Sequence, residues 1–246
     1  FKDGVTLKPD EFYARLEEGT DFPKTAVPTV GEFAEVYDRI GKDADGIVSI
    51  HLSSKVSGTF NSAQQGAKAA KVDCPIEVVD SLQVTMAVGL IAVAAARAAE
   101  QGGTFEAVVK LAKDTATRSR SLALMDTMEY LERGGRIGKA AALVGSLLNF
   151  KPMLEIKEGT VNPFAKPRTR AKGIQKLKEY VSDHSPVESI CVMHATTPEE
   201  AQGLLEELKG MLGDAELPMV ARYGPGLGTH VGPGGLGVVL IEASQK

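Results

Sequence analysis

Cysteine and histidine are scarce in this 246-residue chain, which has two of the first and four of the second. No His-x-x-x-His or Cys-x-x-Cys spacing joins any of them, so no metal site and no cofactor is expected. Cys74 and Cys191 stand far apart, each in a strand-like apolar context. They read as buried thiols in a reducing cytoplasm rather than as a disulfide. An apolar run of 18 residues is also missing. The longest, 86–99, is alanine-rich and has Arg97 and Glu100 at its end, which fits a packed helix and not a membrane span. The net charge is −4, with no Lys/Arg stripe interleaved with aromatics, so nucleic acid is not an expected partner. No signal peptide is visible, and the first residues, Phe1-Lys2-Asp3-Gly4, lack an initiator Met, as in a processed chain or a fragment.

With 43% hydrophobic and 24% charged residues, the chain has the composition of a soluble globular protein of one large or two small α/β domains. Strand-like and helical segments alternate. Helices are expected over 9–17, 30–40, 61–71, 86–101, 105–116, 127–133, 139–148, 169–182 and 198–212. Strands are expected over 45–52, 76–80, 153–157, 160–164, 188–193, 219–223 and 237–241, and a new segment begins at 122–126. Thr29 with Glu32 three residues on reads as a capping box. A seam near 118–122 divides the chain into expected domains 1–120 and 121–246.

The stretch 224–237 holds seven of the 26 glycines around His230. Glycine at this density suits backbone that takes positive φ or presses close to a neighbour, so His230 is expected on a tight loop at a binding site, although such stretches are also often plain turns. A phosphate cradle would need a helix behind the glycines. Here the residues from Gly237 onward read as a buried strand. A second constellation, His51-Leu-Ser-Ser-Lys-Val-Ser-Gly-Thr59, leaves the carboxyl end of a strand and enters a helix. Ser57, Gly58 and Thr59 could bind an anion there with backbone N–H groups, or Ser57 and Thr59 could simply cap the helix. His51 reads as a core or edge residue. Thr25 stands on a similar hydroxyl segment, 25–29, where Pro28 biases Val27 to extended backbone.

Ser57, His230 and an acid such as Asp80 are the residue types of a nucleophilic triad, which makes a serine esterase or thioesterase the alternative reading. Ser57 lacks the flanking glycines of a Gly-x-Ser-x-Gly elbow, and nothing in the sequence assigns Asp80 to His230.

Several motifs carry a resemblance when taken in order: 25–29, 52–63, Val79-Asp80-Ser81, 129–137, 151–154, Lys166-Pro-Arg-Thr-Arg170 and Gly228-Thr-His-Val-Gly-Pro-Gly-Gly235. In these the chain resembles the DegV family of bacterial lipid-binding proteins, which includes the fatty-acid-binding subunits of the fatty acid kinase system. The resemblance implies two α/β domains, the first with a mainly parallel sheet and the second with a mixed one, and a long-chain fatty acid in the cleft between them. It assigns the carboxylate to Thr25, Ser57 and His230, with Gly58, Thr59 and Thr229 in support. Arg168, with Arg170 and Arg133 behind it, would meet a partner kinase. Lys55 and Arg136 are expected to be surface residues. Candidate walls for the acyl chain are Phe60, Met86, Ile91, Met125, Leu147 and Leu148. The family usually has a strand with an Asp-Ser motif before the region matching Phe1, so a gene product about 35 residues longer is expected. A more distant likeness, to dihydroxyacetone-binding kinase domains, would make His230 a covalent substrate ligand.

Overall fold

The structure is a computed structural model that describes all residues except 20, 21, 144–149, 211, 213–215, 245 and 246. Two compact units are present. Unit 1 comprises Phe1–Thr25, Arg120–Lys157 and Val161–Lys246, and unit 2 comprises Ala26–Ser119 with Glu158–Thr160.

Unit 2 begins with α2 (Val30–Ile40), following α1 of unit 1 (Pro9–Glu18). Thr29 Oγ1 accepts from Glu32 N (3.2 Å) and the Glu32 carboxylate accepts from Thr29 N (2.9 Å), so the capping box forms as its spacing requires. Strands β1 (Ile47–His51) and β2 (Ile76–Asp80) pair in parallel, from Ile47 opposite Ile76 to His51 opposite Asp80. Helix α3 (Thr59–Ala69) links them, as parallel pairing demands a crossover. Helices α4 (Met86–Glu100) and α5 (Phe105–Arg118) bury Ile91, Ala95, Val108 and Ala112 together against Val48 and Ile50 of β1. Ile91 is therefore part of this core. Leu147 and Leu148 lie outside the described residues.

Unit 1 is built on a six-stranded sheet of order β5-β4-β3-β8-β6-β7. Its strands are β3 (Ser119–Leu124), β4 (Met153–Lys157), β5 (Thr160–Ala165), β6 (Val187–His194), β7 (Glu216–Arg222) and β8 (Leu236–Glu242). Strand β6 runs antiparallel to β8 and parallel to β7, which makes the sheet mixed. This strand is buried along almost its full length, with an apolar run over 190–193, as expected of a central strand. Helices α7 (Arg170–Asp183) and α8 (Pro198–Lys209) contribute Leu177, Val181, Leu204 and Leu208 to the same core as Ile190, Val192, Val238 and Leu240. Cys191 lies in β6, where burial pushes its thiol up to about 12, while Cys74 is half-buried; both are free thiols. No helix among the described residues is long and apolar enough to cross a membrane.

Three features differ from the sequence expectation. The first 25 residues belong with unit 1 rather than with 26–119, because α1 buries Phe12, Tyr13 and Leu16 there and Tyr13 OH donates to Tyr223 O (3.0 Å). The segment expected to be helical over 139–148 begins as a short 3-10 helix, Gly138–Leu143. The stretch around His230 is not only a loop. Residues Pro225–Val231 form helix α9, started by Pro225 at its first position and ended by Gly232 at φ 77°. Two glycines within seven residues, and one at each end, hid that helix from a propensity reading.

Replacing Thr29 with Ala removes one side of the capping box and is expected to cost about 1 kcal/mol of unfolding free energy, read from denaturant melts. A Glu32→Gln variant, which preserves the reciprocal bond, should lose much less.

Candidate functional site

His230 stands at the end of α9 and is only 8% exposed. Its Nε2 lies 3.3 Å from Thr25 Oγ1, so two of the residues singled out in the sequence, 205 positions apart, meet within unit 1. Nδ1 is buried without a hydrogen-bond partner. It faces Gly134, at the end of α6 (Glu129–Arg133), where a Cβ would lie 2.1 Å from that nitrogen. Burial holds the imidazole pKa below its ordinary value, and the Arg136 guanidinium lowers it further, so the ring is neutral near pH 7. Arg136 Nη1 also donates to Gly134 O (3.0 Å). Arg136 was read from the sequence as a surface residue; only the chain's turn through Gly134 and Gly135 brings it beside His230.

The backbone around His230 explains its glycines. Gly232 needs positive φ, and a Cβ there would strike the Tyr130 ring at 2.3 Å. The N-terminus of α9 is already occupied: Gly226 N donates to the Asp3 carboxylate (2.8 Å). The stretch therefore does contain a helix start, at Gly224, but the anion held there is the protein's own. Thr229, adjacent to His230, turns its hydroxyl back to Pro225 O (2.9 Å), so its support is to the helix and not to a ligand.

In unit 2, Ser57 Oγ lies 2.9 Å from Thr59 Oγ1 and accepts from Thr59 N (3.3 Å). Gly58 precedes the first turn of α3 without a side-chain cap. Ser57 thus makes a local turn just ahead of α3, and two hydroxyls are grouped at the helix start. Asp80 accepts from Ser54 N (3.2 Å) and Leu82 N (3.0 Å), which organises the loops leaving β1 and β2. Thr85, just before α4, has φ 56° and a buried hydroxyl without a partner. A β-branched residue at positive φ is strained, and such strain gathers at functional sites. No sequence signal marks it. His51 is an edge-of-core residue, bonded to Ser49 Oγ (2.7 Å) and edge-on to the Phe33 ring.

The triad alternative needs an acid on Nδ1 of the histidine. Nδ1 of His230 instead meets the bare α-carbon of Gly134, and the Asp80 carboxylate is engaged by backbone N–H groups. The two arginines of 166–170 also part company. Arg168 is exposed. Arg170 grips the Glu200 carboxylate through Nε (2.9 Å) and Nη2 and donates from Nη1 to Gly234 O (2.7 Å). Arg170 therefore ties α7 to α8 and to the glycine segment.

Burial lowers the pKa of His51, His194 and His230 alike. The unfolded chain then takes up protons near the ordinary histidine value, about 6.5, that the folded protein refuses. Stability from these groups is complete above that pH and falls as pH is lowered through it. Denaturation midpoints measured between about pH 8 and 5 should therefore decline toward acid, with a shallower slope in His230→Asn.

A family model described as uncharacterised protein, DegV family, matches residues 1–243. A DegV domain-containing protein of Streptomyces coelicolor is 43% identical over 244 residues, covering 92% of this chain and 85% of its own length. Among solved structures, a DegV family protein from Thermus thermophilus, described for its fatty acid binding, matches with a TM-score of 0.90 at 30% identity. The match covers 99% of this chain and 87% of that one. DegV of Bacillus subtilis, a fatty acid binding protein, matches with a TM-score of 0.88 at 32% identity over 99% and 87% of the two chains. Sequence and fold agree along all but the last few residues, and this chain belongs to the DegV family.

Proposed function

We propose that this protein binds one long-chain fatty acid in the cytoplasm, holds its ionised carboxylate with Thr25, His230 and Ser57, and carries out no bond chemistry of its own. The observation that carries the reading is the neutral imidazole of His230, backed by glycine instead of an acid, with Nε2 beside the Thr25 hydroxyl. Such a pair can donate to a carboxylate, and the histidine lacks the acid that orients the base of a serine triad. Ser57 joins the set on the family likeness, with Gly58 and Thr59 adding the N–H groups of a helix start. The solved relatives from Thermus thermophilus and Bacillus subtilis are described as fatty acid binding. Burying an acyl chain contributes about 0.8 kcal/mol per CH₂, enough over a long chain to offset desolvation of the head.

In the same reading the acid is presented to a fatty acid kinase, which forms the acyl phosphate, and Arg168, an exposed residue, is assigned to that partner on the family likeness. Arg170 is assigned no part in that contact, since its N–H groups are already used within unit 1.

Native mass spectrometry of the purified protein should find a bound fatty acid, and delipidated protein should bind one again. Absence of both would overturn the reading. Ser57→Ala and His230→Ala are each expected to weaken binding by about 1.5–3 kcal/mol, the worth of a hydrogen bond to a charged group, or about tenfold to a hundredfold in Kd. Covalent labelling of Ser57 by a serine-directed phosphonate, with ester turnover, would instead establish the esterase. Arg168→Ala should leave fatty acid affinity unchanged and lower phosphorylation by a fatty acid kinase; equal phosphorylation of both proteins would remove Arg168 from the partner surface.

A further inference from the structure

Gly134 and His230 approach more closely than any side chain would allow. The direction in which a Cβ of Gly134 would point, 2.1 Å from Nδ1 and 2.7 Å from Cε1 of the ring, is occupied by an α-hydrogen aimed at Nδ1. A nitrogen lone pair accepts such a C–H contact, whereas an N–H at Nδ1 would set hydrogen against hydrogen. Nδ1 has no other partner. The proton of the neutral ring is then on Nε2, which donates to Thr25 Oγ1. That leaves the proton of the Thr25 hydroxyl to be given to a ligand.

The position of Gly134 is itself fixed from two sides. Its N–H donates to Tyr130 O (2.9 Å), closing α6, and its carbonyl accepts from Arg136 Nη1 (3.0 Å). Gly135, at φ 68°, turns the chain so that Arg136 reaches back. The guanidinium charge also disfavours a second proton on the ring.

We propose that Arg136 is a positioning residue of the head-group site. By gripping the Gly134 carbonyl it holds the α-carbon against His230 and fixes the ring as a neutral Nε2–H donor, matching the site to an ionised carboxylate over an uncharged head such as an alcohol. The match to a carboxylate rests on the reading of Thr25 and His230 as head-group ligands; the state of the ring does not.

The test reads the ring directly. Long-range ¹H–¹⁵N correlation spectra of ligand-free, ¹⁵N-histidine-labelled protein at neutral pH report which ring nitrogen carries hydrogen. The wild type is expected to give the neutral Nε2–H pattern for His230. Arg136→Met, which retains the aliphatic stem, should lose that pattern to a mixture of states, and Arg136→Lys, which retains charge and a donor, should restore it. Gly134→Ala should displace the ring even with Arg136 present. An Nδ1–H or doubly protonated ring in the wild type, which needs no variant to fold, overturns the proposal, as does an unchanged ring in Arg136→Met.

Competition between hexadecanoic acid and hexadecanol completes the test. The wild type should prefer the acid, and Arg136→Met should lose about tenfold of that preference, equivalent to about 1.4 kcal/mol. A changed ring with an unchanged preference overturns the head-group reading, and with it the match to a carboxylate. A lost preference with an unchanged ring overturns the role of Arg136 and leaves the head-group reading standing.

Discussion

A buried imidazole has two nitrogens to place, and the protein resolves them differently. One meets a threonine hydroxyl, and the other is pressed against a residue with no side chain. That single close approach requires glycine at 134, a chain turn at Gly135 and a short helix that ends at Gly232. It also requires α1 to pack beside α9, since Thr25 follows α1 in the same unit. The glycine density of 224–237 is thus explained by steric room. The histidine is kept neutral by burial and by a neighbouring cation, which suits it to donate a hydrogen bond rather than to shuttle a proton.

The hydroxyl group at the start of α3 follows another logic. Ser57 and Thr59 are held by local bonds to each other, and the loops leaving β1 and β2 are tied by Asp80. Polar backbone leaving the ends of β1 and β2 is satisfied locally, which leaves this end of the parallel pair ordered. Loops at the carboxyl ends of parallel strands are common ligand positions because helix starts and strand ends concentrate unpaired N–H groups there.

Much of this was legible from residue patterns. The Thr29 box, the apolar runs of β6 and β8 and the amphipathic helices α7 and α8 follow local spacing and need no distant partner. The pairing of cysteines with strands was legible for Cys191, whose neighbours are all apolar. Arg136 was expected at the surface, and its hydrogen bond to Gly134 and its effect on His230 arise from a turn that no pattern encodes. Arg170 was expected behind Arg168 as a partner-facing cation, and what the motif did not show is that Glu200 and Gly234 hold it. Helix α9 was missed because glycine penalises helices in isolation, whereas here Pro225, Thr229 and the Asp3 carboxylate hold its first turn in place.

By itself the sequence determined the alternation of strands and helices, the caps, and the presence of a glycine-enclosed histidine along with hydroxyl-rich strand exits. These depend on contacts within a few residues, where periodicity and turn chemistry suffice. Only the tertiary structure decided that the first 25 residues join the later part of the chain, that Thr25 reaches His230, and that Gly134, held by Arg136, lies against its ring. Those contacts join residues about a hundred to two hundred positions apart in a core whose packing density admits one arrangement, and packing of that kind leaves no local trace in sequence.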